Sequence, residues 1–264
     1  MSATRVSLAL AAALWVKSEP ADACSCVEPE PEMISPSNVG LAPINARVRV
    51  ALPGPGTGAG QHQIVLRVRG GKAVPVQRRE SVVSSRVYVE LLPEAPLAPD
   101  TRYEVAVVVK DRRPGTLVFG TFETGTETDT APPTGGKLGK PEVYKTSPWS
   151  GTSCSIGSPW VSIPVTAKGS DPGHAGARSL YAVWVADAGG RVDTRAPATT
   201  FLAPVEGALT LGKTSYCDPD DFPLPPRGRL TIGVALIDEA GNHGAVQRMV
   251  IDVSAARAHP PRRR

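Results

Sequence analysis

Residues 91–109, LLPEAPLAPDTRYEVAVVV, followed by GTFETG at residues 120–125, are the stretch that decides the fold of this chain. A Pro-rich turn leads into a run in which Tyr103, Val105 and Val107 alternate with polar or small residues. Alternation of period two with β-branched side chains is typical of a half-buried β-strand. The stretch therefore predicts strands of a mainly antiparallel sheet, joined by Pro-rich turns.

Runs of the same kind recur along the chain, separated by segments rich in Gly and Pro. The sequence holds 26 Gly and 27 Pro among 264 residues, which disfavours long helices because Pro breaks them and Gly weakens them. Several short strands at this spacing predict β-sandwiches. The predicted strands cover residues 46–52, 62–70, 86–92, 102–110 and 116–123 in the first half, and 160–168, 179–186, 207–217, 228–237 and 246–254 in the second.

The opening stretch also resembles a known family. In bacterial Ig-like domains of the surface-layer-protein type, a Leu-x-Pro-x-x-x-Tyr segment leads into the penultimate strand, and Phe-x-Thr-Gly closes the domain. The closing strands are also similar to those of fibronectin type III domains. The resemblance covers residues 33–127, and it implies that the Tyr103 hydroxyl bonds to nearby backbone as a tyrosine corner. The matching positions are Leu97, Pro99, Tyr103, Phe122, Thr124 and Gly125.

The second half repeats this pattern, and residues 230–244 are similar to the ending of extracellular Ig-like modules. Residues 238–242, DEAGN, predict a turn with positive φ at Gly241 and Asn242, and Trp184 is predicted to anchor the core. We therefore predict an all-β protein of two consecutive Ig-like or fibronectin type III-like β-sandwich domains. Its predicted parts are a signal peptide at 1–23, a Cys- and Pro-rich segment at 24–32, the first sandwich at 33–127, a linker at 128–141, the second sandwich at 142–254 and a basic disordered tail at 255–264.

The N-terminus has the layout of a secretory signal peptide. A short positive region, residues 1–5, precedes an apolar run, residues 6–16, and an Ala-Asp-Ala cleavage motif ends at Ala23, before Cys24. The apolar run is too short to cross a bilayer, which takes about 20 residues of helix. A lipid anchor at Cys24 is disfavoured because Asp22 is a poor fit to the small residues that precede a lipidated cysteine. We expect cleavage between Ala23 and Cys24 and export to the periplasm, the cell surface or the medium.

Four cysteines are available for disulfide bonds in an exported chain. Cys154 precedes one predicted strand and Cys217 ends another, so we expect these two to pair. Closing that loop contributes roughly 4 kcal/mol in the loop-entropy model. The partners of Cys24 and Cys26 stay open, either each other or the second sandwich. A structural zinc site is disfavoured because neither C-x₂-C nor His-x₃₋₅-His spacing is present.

Charge argues against a nucleic-acid partner. The net charge of +4 is equal to that of the tail after Ser254, and the residues between positions 24 and 254 are neutral overall. A nucleic-acid groove needs clustered basic side chains on a folded surface. The tail carries Arg257, Arg262, Arg263 and Arg264.

The sequence contains none of the common catalytic motifs. G-x-S-x-G, the P-loop, H-E-x-x-H and G-x-G-x-x-G are all absent, and the four histidines are expected at the surface. Asp218, Asp220 and Asp221 offer a candidate calcium site, although such an acidic run is more often a solvated loop. Trp149 and Trp160 flank a Ser-, Gly- and Pro-containing loop and are candidate surface contacts.

The sequence thus predicts an exported, non-enzymatic structural, adhesive or partner-binding module at the cell envelope. The expected partner is a protein or an envelope glycan, and neither a cofactor nor a transmembrane segment is expected. The alternative is a secreted inhibitor or accessory domain of an extracellular hydrolase. It rests on the mature N-terminus, CSCVEPEP at residues 24–31, which resembles the Cys-x-Cys opening of tissue inhibitors of metalloproteinases.

Overall fold

The computed structural model describes residues 30–38, 40–54, 63–83, 86–109, 115–145, 158–171, 179–212, 222 and 224–258. Within them the regular secondary structure consists of β-strands and one 3-10 turn at Val253–Ala255. The strands are β1 Glu32–Ser35, β2 Val48–Pro53, β3 Gln63–Val68, β4 Val76–Val83, β5 Arg86–Pro93, β6 Arg102–Val109, β7 Gly115–Glu123, β8 Thr134–Gly135, β9 Glu142–Lys145, β10 Pro159–Pro164, β11 Gly169–Ser170, β12 Leu180–Val185, β13 Thr200–Leu202, β14 Ala208–Gly212, β15 Arg229–Ile237, β16 Gln247–Asp252 and β17 Arg257–Ala258.

Strands β1 to β7 form a sandwich with the strand order of a constant-type Ig domain. One sheet has the order β1-β2-β5-β4 and the other the order β3-β6-β7, with all pairs antiparallel. These two sheets correspond to the ABED and CFG sheets of that class. Alternate side chains of the strands fill the space between the sheets, among them Val48, Val50, Leu66, Val89, Leu91, Val105 and Phe122.

Tyr103, at the start of β6, fixes the loop that precedes this strand. Its hydroxyl accepts a hydrogen bond of 2.8 Å from the backbone N–H of Ala98, which confirms the predicted tyrosine corner. Its ring stacks on Phe122 with a centroid distance of 5.4 Å. The Thr124 hydroxyl donates to the Ala98 carbonyl at 2.6 Å and accepts from the N–H of Thr101 at 3.1 Å. The Leu-x-Pro and Phe-x-Thr segments are thereby joined.

We expect Tyr103→Phe to lower the free energy of unfolding by about 1–2 kcal/mol, because the Ala98 N–H loses its acceptor while the ring stays buried. Urea denaturation of the purified protein measures the change. Tyr144→Phe is the control, since the Tyr144 hydroxyl donates to the exposed Glu142 side chain, and it should change stability by less than about 0.5 kcal/mol. Equal losses in the two variants would contradict the role of the corner.

The second sandwich differs from the first in the place of one short strand, β13. One sheet has the order β14-β10-β9-β17 and the other the order β13-β12-β15-β16. Strand β13 lies beside β12, the position of the C′ strand in variable-type Ig domains. The pairing of β17 with β9 is parallel, and the other pairs are antiparallel. The core between the sheets includes Val161, Ile163, Tyr181, Val183, Leu209, Leu211, Ile232, Val234 and Ile251.

The segment predicted as a linker, residues 128–141, lies against the second sandwich. Strand β8, within it, pairs with β11. Gln247 of β16 fixes the backbone nearby: its side-chain oxygen accepts from the N–H of Leu138 at 2.9 Å, and its amide nitrogen donates to the Gly136 carbonyl at 3.0 Å. Strand pairing and these two hydrogen bonds therefore fix the segment on the second sandwich.

The alternating runs correspond to β2, β3, β5, β6, β7, β10, β12, β14, β15 and β16. Strand β4, VQRRESVV, was not predicted because its charged residues at a sheet edge hide the period of two. Strands β1, β9 and β13 are too short for a periodic signal. In the predicted turn, Gly241 has the expected positive φ of 89°. The prediction for Asn242 is wrong: its φ is not positive, and its N–H instead donates to Asp238 Oδ1 at 2.7 Å.

Tyr181 of β12 is fully buried, and its hydroxyl has no hydrogen-bond partner within the described residues. Burial raises the pKa of Tyr181 above its ordinary value of 10.0. Because the folded-state pKa exceeds the unfolded one, the unfolded chain ionises first, and stability falls as the pH rises above about 10.

We expect Tyr181→Phe to leave the free energy of unfolding unchanged or to raise it by up to about 1 kcal/mol at neutral pH. The reason is that the hydroxyl loses its hydrogen bonds to water on folding and forms none with the described residues in return. The variant should also lose less stability than the wild type between pH 9 and about 11. Thermal unfolding at several pH values measures both effects. A clear destabilisation at pH 7 would show that the hydroxyl has a partner.

Candidate functional site between the two sandwiches

The two sandwiches contact each other through the outer faces of two sheets. The β1-β2-β5-β4 sheet of the first packs on the β13-β12-β15-β16 sheet of the second through a third apolar cluster. Successive side chains of a strand point to opposite faces, so these residues lie outside both sandwich cores. The cluster consists of Ala51, Val83, Tyr88, Leu180, Ala182, Trp184, Ala198, Phe201, Ala235 and Ile237.

This contact corrects two predictions. Strands β2 and β12 were expected to be half-buried, but they are buried on both faces because the other sandwich covers the outer one. Trp184 is buried as predicted, but in the third cluster rather than in the core of the second sandwich. Its Nε1–H donates to the Ala196 carbonyl at 3.1 Å.

Arg49 of β2 is a fully buried cation at this contact, with 0% of its surface exposed. Its Nε donates to Glu90 Oε1 at 3.1 Å, and its Nη1 donates across the contact to the Asp238 carbonyl at 2.8 Å. The guanidinium lies 5.4 Å from the centroid of the Phe201 ring. Burial lowers the pKa of Arg49, and the charge of Glu90 opposes that shift. Arginine stays protonated in proteins, so a positive charge is held between the sandwiches.

Backbone groups add direct hydrogen bonds between the two sandwiches. Glu239, after β15, accepts from two residues of the first sandwich: its carbonyl from the N–H of Arg47 at 2.8 Å, and its Oε1 from the N–H of Ser37 at 2.6 Å. The Ser81 hydroxyl of β4 donates to the Thr199 carbonyl at 3.2 Å. These bonds fix the relative position of the sheets as well as their contact.

A cavity of about 310 Å³ opens beside this contact. Both sandwiches line it, and its walls combine apolar side chains such as Tyr88 and Phe201 with carboxylates such as Asp171 and Asp238. Its volume is at the lower end of the range of about 300–1,000 Å³ found for small-ligand sites.

Three carboxylates converge at one end of the contact. Asp129 lies in the segment between the sandwiches, Asp171 follows β11, and Asp238 follows β15. Each offers an oxygen within 4.8 Å of the other two. Asp129 and Asp238 are buried and Asp171 is half-buried. Two full charges within this distance would repel by at least about 3.5 kcal/mol at an effective dielectric constant of about 20, so the fully ionised cluster is costly unless a cation or a proton neutralises it.

The surroundings of Asp238 disfavour its negative charge. Asp238 is only 5% exposed; Oδ1 accepts from the N–H of Asn242, while Oδ2 has no hydrogen-bond partner among the described residues. Burial raises the pKa of Asp238, and the charges of Asp129 and Asp171 raise it further, whereas the bond from Asn242 lowers it. No basic side chain forms an ion pair with Asp129 or Asp238 in the described part of the chain.

Hydrogen bonds around the acidic cluster connect the first sandwich, the segment that contains Asp129 and the second sandwich. The Asp129 carbonyl accepts from the side-chain amides of Asn45 in the first sandwich, at 2.7 Å, and Asn242 in the second, at 3.2 Å. The side-chain Oδ1 of Asn45 also accepts from the backbone N–H of Asp129 at 3.0 Å. Asp129 Oδ1 accepts from the N–H of Ala131. The carboxylates are thus held on an ordered frame.

Most residues singled out by sequence lie outside the described residues. These are Cys24, Cys26, Cys154, Cys217, Ala23, Trp149, Asp218, Asp220 and Asp221. Trp160 is described: it is half-buried in β10 and stacks on Tyr144 with a centroid distance of 4.6 Å. His243 is exposed, as predicted. The disulfide pairing, the candidate calcium run and the inhibitor-like N-terminus therefore stay predictions.

The acidic cluster was missed because its members follow no motif. Asp129, Asp171 and Asp238 come from three separate loops, and each stands in a sequence context typical of a turn. The one available signal is that the DEAGN turn begins with an aspartate directly after a strongly apolar strand. A carboxylate at such a strand end lies near the interior.

No protein-family model matches this chain, and no curated protein matches it. Among solved structures, it is similar to the N-terminal Ig1-2 module of the Drosophila receptor protein tyrosine phosphatase DLAR, with 12% identity, coverage of 83% of this chain and 97% of that chain, and a TM-score of 0.28. The tandem Ig repeats of Dlar match with 11% identity, 87% and 98% coverage, and a TM-score of 0.28. The fibronectin(III)-like modules of Clostridium thermocellum CbhA match with 13% identity, 87% and 98% coverage, and a TM-score of 0.23.

The strand orders themselves define the class: the chain is an all-β protein of two consecutive Ig-like or fibronectin type III-like β-sandwiches. The two sandwiches share a buried contact that contains an arginine and borders an acidic cluster. None of the described residues forms a helix that is long and apolar enough to span a membrane.

Proposed function

We propose that this chain is an exported, non-enzymatic module of the bacterial cell envelope, in which two Ig-like sandwiches form one rigid body that holds its loops and edge strands for a protein or glycan partner. The observation that carries the proposal is the buried contact between the sandwiches, across which the buried Arg49 donates to the Asp238 carbonyl. A flexible tether would need no such contact.

The composition of this contact supports rigidity. Domain contacts that allow movement are usually polar and of moderate size. Here a continuous apolar layer is combined with a desolvated charge and with backbone hydrogen bonds across the contact. Separating the sandwiches would expose the apolar layer to water and break the hydrogen bond from Arg49 to the Asp238 carbonyl, so the closed arrangement is strongly favoured.

The residues available for chemistry support binding rather than catalysis. Catalysis by side chains needs a base, an acid or a nucleophile that converge on one point. His243 is the only histidine in the described part of the chain, and its Nδ1 lies 3.0 Å from the neighbouring Gly244 carbonyl oxygen. The acidic cluster lies beside the contact between the sandwiches and offers carboxylates alone, without a histidine or a nucleophile among its members.

Export is supported by the sequence of the N-terminus and by the even number of cysteines. Fractionation of cells that express the full chain, followed by intact-mass measurement, tests it. We expect a mature protein outside the cytoplasm that begins at Cys24 and carries no lipid. A full-length protein in the cytoplasm would overturn the proposed location.

Binding is tested with purified mature protein and envelope fractions of the source cell. We expect saturable co-sedimentation of the wild type with the envelope, and binding at least about tenfold weaker for Ala182→Glu, which separates the sandwiches without entering either core. Equal binding by that variant would show that one sandwich alone carries the partner site. An absence of saturable binding by the wild type would overturn the proposed function.

A further inference from the structure

We propose that Asp129, Asp171 and Asp238 bind one Ca²⁺ ion, which fastens the connecting segment and the second sandwich beside the contact with the first. The inference goes beyond the proposed function, because binding of the ion holds whether or not the chain binds an envelope component. The ligand class follows from the donor set: carboxylate oxygens suit hard divalent cations such as Ca²⁺ and Mg²⁺.

The donor set favours Ca²⁺ over Mg²⁺. Ca²⁺ takes several protein oxygens in a flexible geometry, whereas Mg²⁺ demands near-ideal octahedral geometry, keeps several waters and is usually bound through one or two carboxylates. Three carboxylates from three separate loops therefore suit Ca²⁺ better. Their oxygens lie within 4.8 Å of one another, so one ion with Ca–O distances of about 2.3–2.6 Å can contact all three.

An independent observation points to a missing ligand. Asp238 is buried, with only 5% of its surface exposed. Its Oδ1 accepts a hydrogen bond from the N–H of Asn242, but its Oδ2 has no hydrogen-bond donor among the described residues. A buried carboxylate oxygen without a donor is costly, and a bound cation satisfies it. Since Asp171 and Asp238 also line the cavity, an ion and its remaining water ligands have a route to the site.

The frame around the cluster explains why binding should affect the joint between the sandwiches. Asp129 belongs to the connecting segment and is hydrogen bonded to Asn45 and Asn242, one from each sandwich. Asp238 immediately follows β15, and its carbonyl accepts from Arg49. An ion held here therefore stabilises the joined state over the separated one, and the melting temperature reports its binding.

The test is thermal unfolding of the purified mature protein, stripped with EDTA and then titrated with CaCl₂, with MgCl₂ and NaCl at matched ionic strength as references. We expect Ca²⁺ to raise the melting temperature by about 5–10 °C at about 100 times its Kd, with one ion per chain by calorimetry and a smaller effect of Mg²⁺. Asp238→Asn should abolish the shift, and without Ca²⁺ it should melt no lower than the wild type, because it relieves the repulsion within the cluster.

Two further variants keep the test decisive. Asp171→Asn, at the half-buried member, should also abolish the shift, and the exposed Glu127→Gln, two residues from Asp129, should retain it. No shift in the wild type, or a shift that persists in both Asp238→Asn and Asp171→Asn, would overturn the proposal. A shift that Asp220→Asn removes and Asp238→Asn leaves intact would place the ion in the CDPDD run instead, with the same consequence.

Discussion

Arg49→Ala should lower the free energy of unfolding by about 3–5 kcal/mol, the largest effect we expect from a single truncation in this protein. The substitution removes a fully buried cation and leaves two acceptors, Glu90 Oε1 and the Asp238 carbonyl, without their donor. Breaking one side of a buried pair costs more than the pair contributes, because the remaining charge stays desolvated. Equilibrium denaturation in urea measures the change.

Arg47→Ala is the matched control for this variant. Arg47 also approaches Glu90, at 3.8 Å, but its side chain is 34% exposed, so its loss should change stability by less than about 1 kcal/mol. In the double variant Arg49→Met with Glu90→Gln, part of the loss should return, because neither charge is then left alone. A small loss for Arg49→Ala, comparable to that of Arg47→Ala, would mean that the arginine is hydrated and the contact open.

Ala182→Glu should separate the two sandwiches while each stays folded. Ala182 is fully buried and belongs to the third cluster, on the face of β12 that points away from the core of its own sandwich. A carboxylate there has no cationic partner and loses its hydration, at a cost of about 4 kcal/mol to the contact. We expect calorimetry to change from one cooperative transition to two, with the lower one well below the wild-type midpoint.

Val185→Glu provides the control on the same strand. Val185 is 36% exposed, so a carboxylate at this position stays in water and should leave the single transition nearly unchanged. Two transitions already in the wild type, at the same midpoints as in Ala182→Glu, would show that the buried contact does not couple the sandwiches.

Local pattern was sufficient to predict the class of fold and most of its long strands. Alternating apolar residues mark a strand wherever one face is buried and the other wet, as in β3 and β10. The tyrosine corner at Tyr103 was also predictable, because the Leu-x-Pro-x-x-x-Tyr segment fixes its geometry locally. Strand β4 was missed since its charges lie at a sheet edge, where no second face constrains the sequence.

The contact between the sandwiches was not predictable by the same rules. Arg49 stands in an alternating run that is typical of a strand with one wet face, and only the second sandwich, more than 100 residues further on, covers it. The small residues Ala51, Ala182 and Ala235 permit the close approach of two sheets but carry no periodic signal. The acidic cluster depends on the same long-range arrangement, since its members meet only when the sandwiches and the connecting segment come together.

Residual dipolar couplings of the isotopically labelled protein test most directly whether the two sandwiches form one body. If they do, couplings from β2, β5 and β6 in the first sandwich and from β10, β12 and β15 in the second will fit a single alignment tensor, and ¹⁵N relaxation will give both one rotational correlation time. Two tensors of different magnitude or orientation, with faster tumbling of each sandwich, would contradict the buried contact and the rigid module built on it.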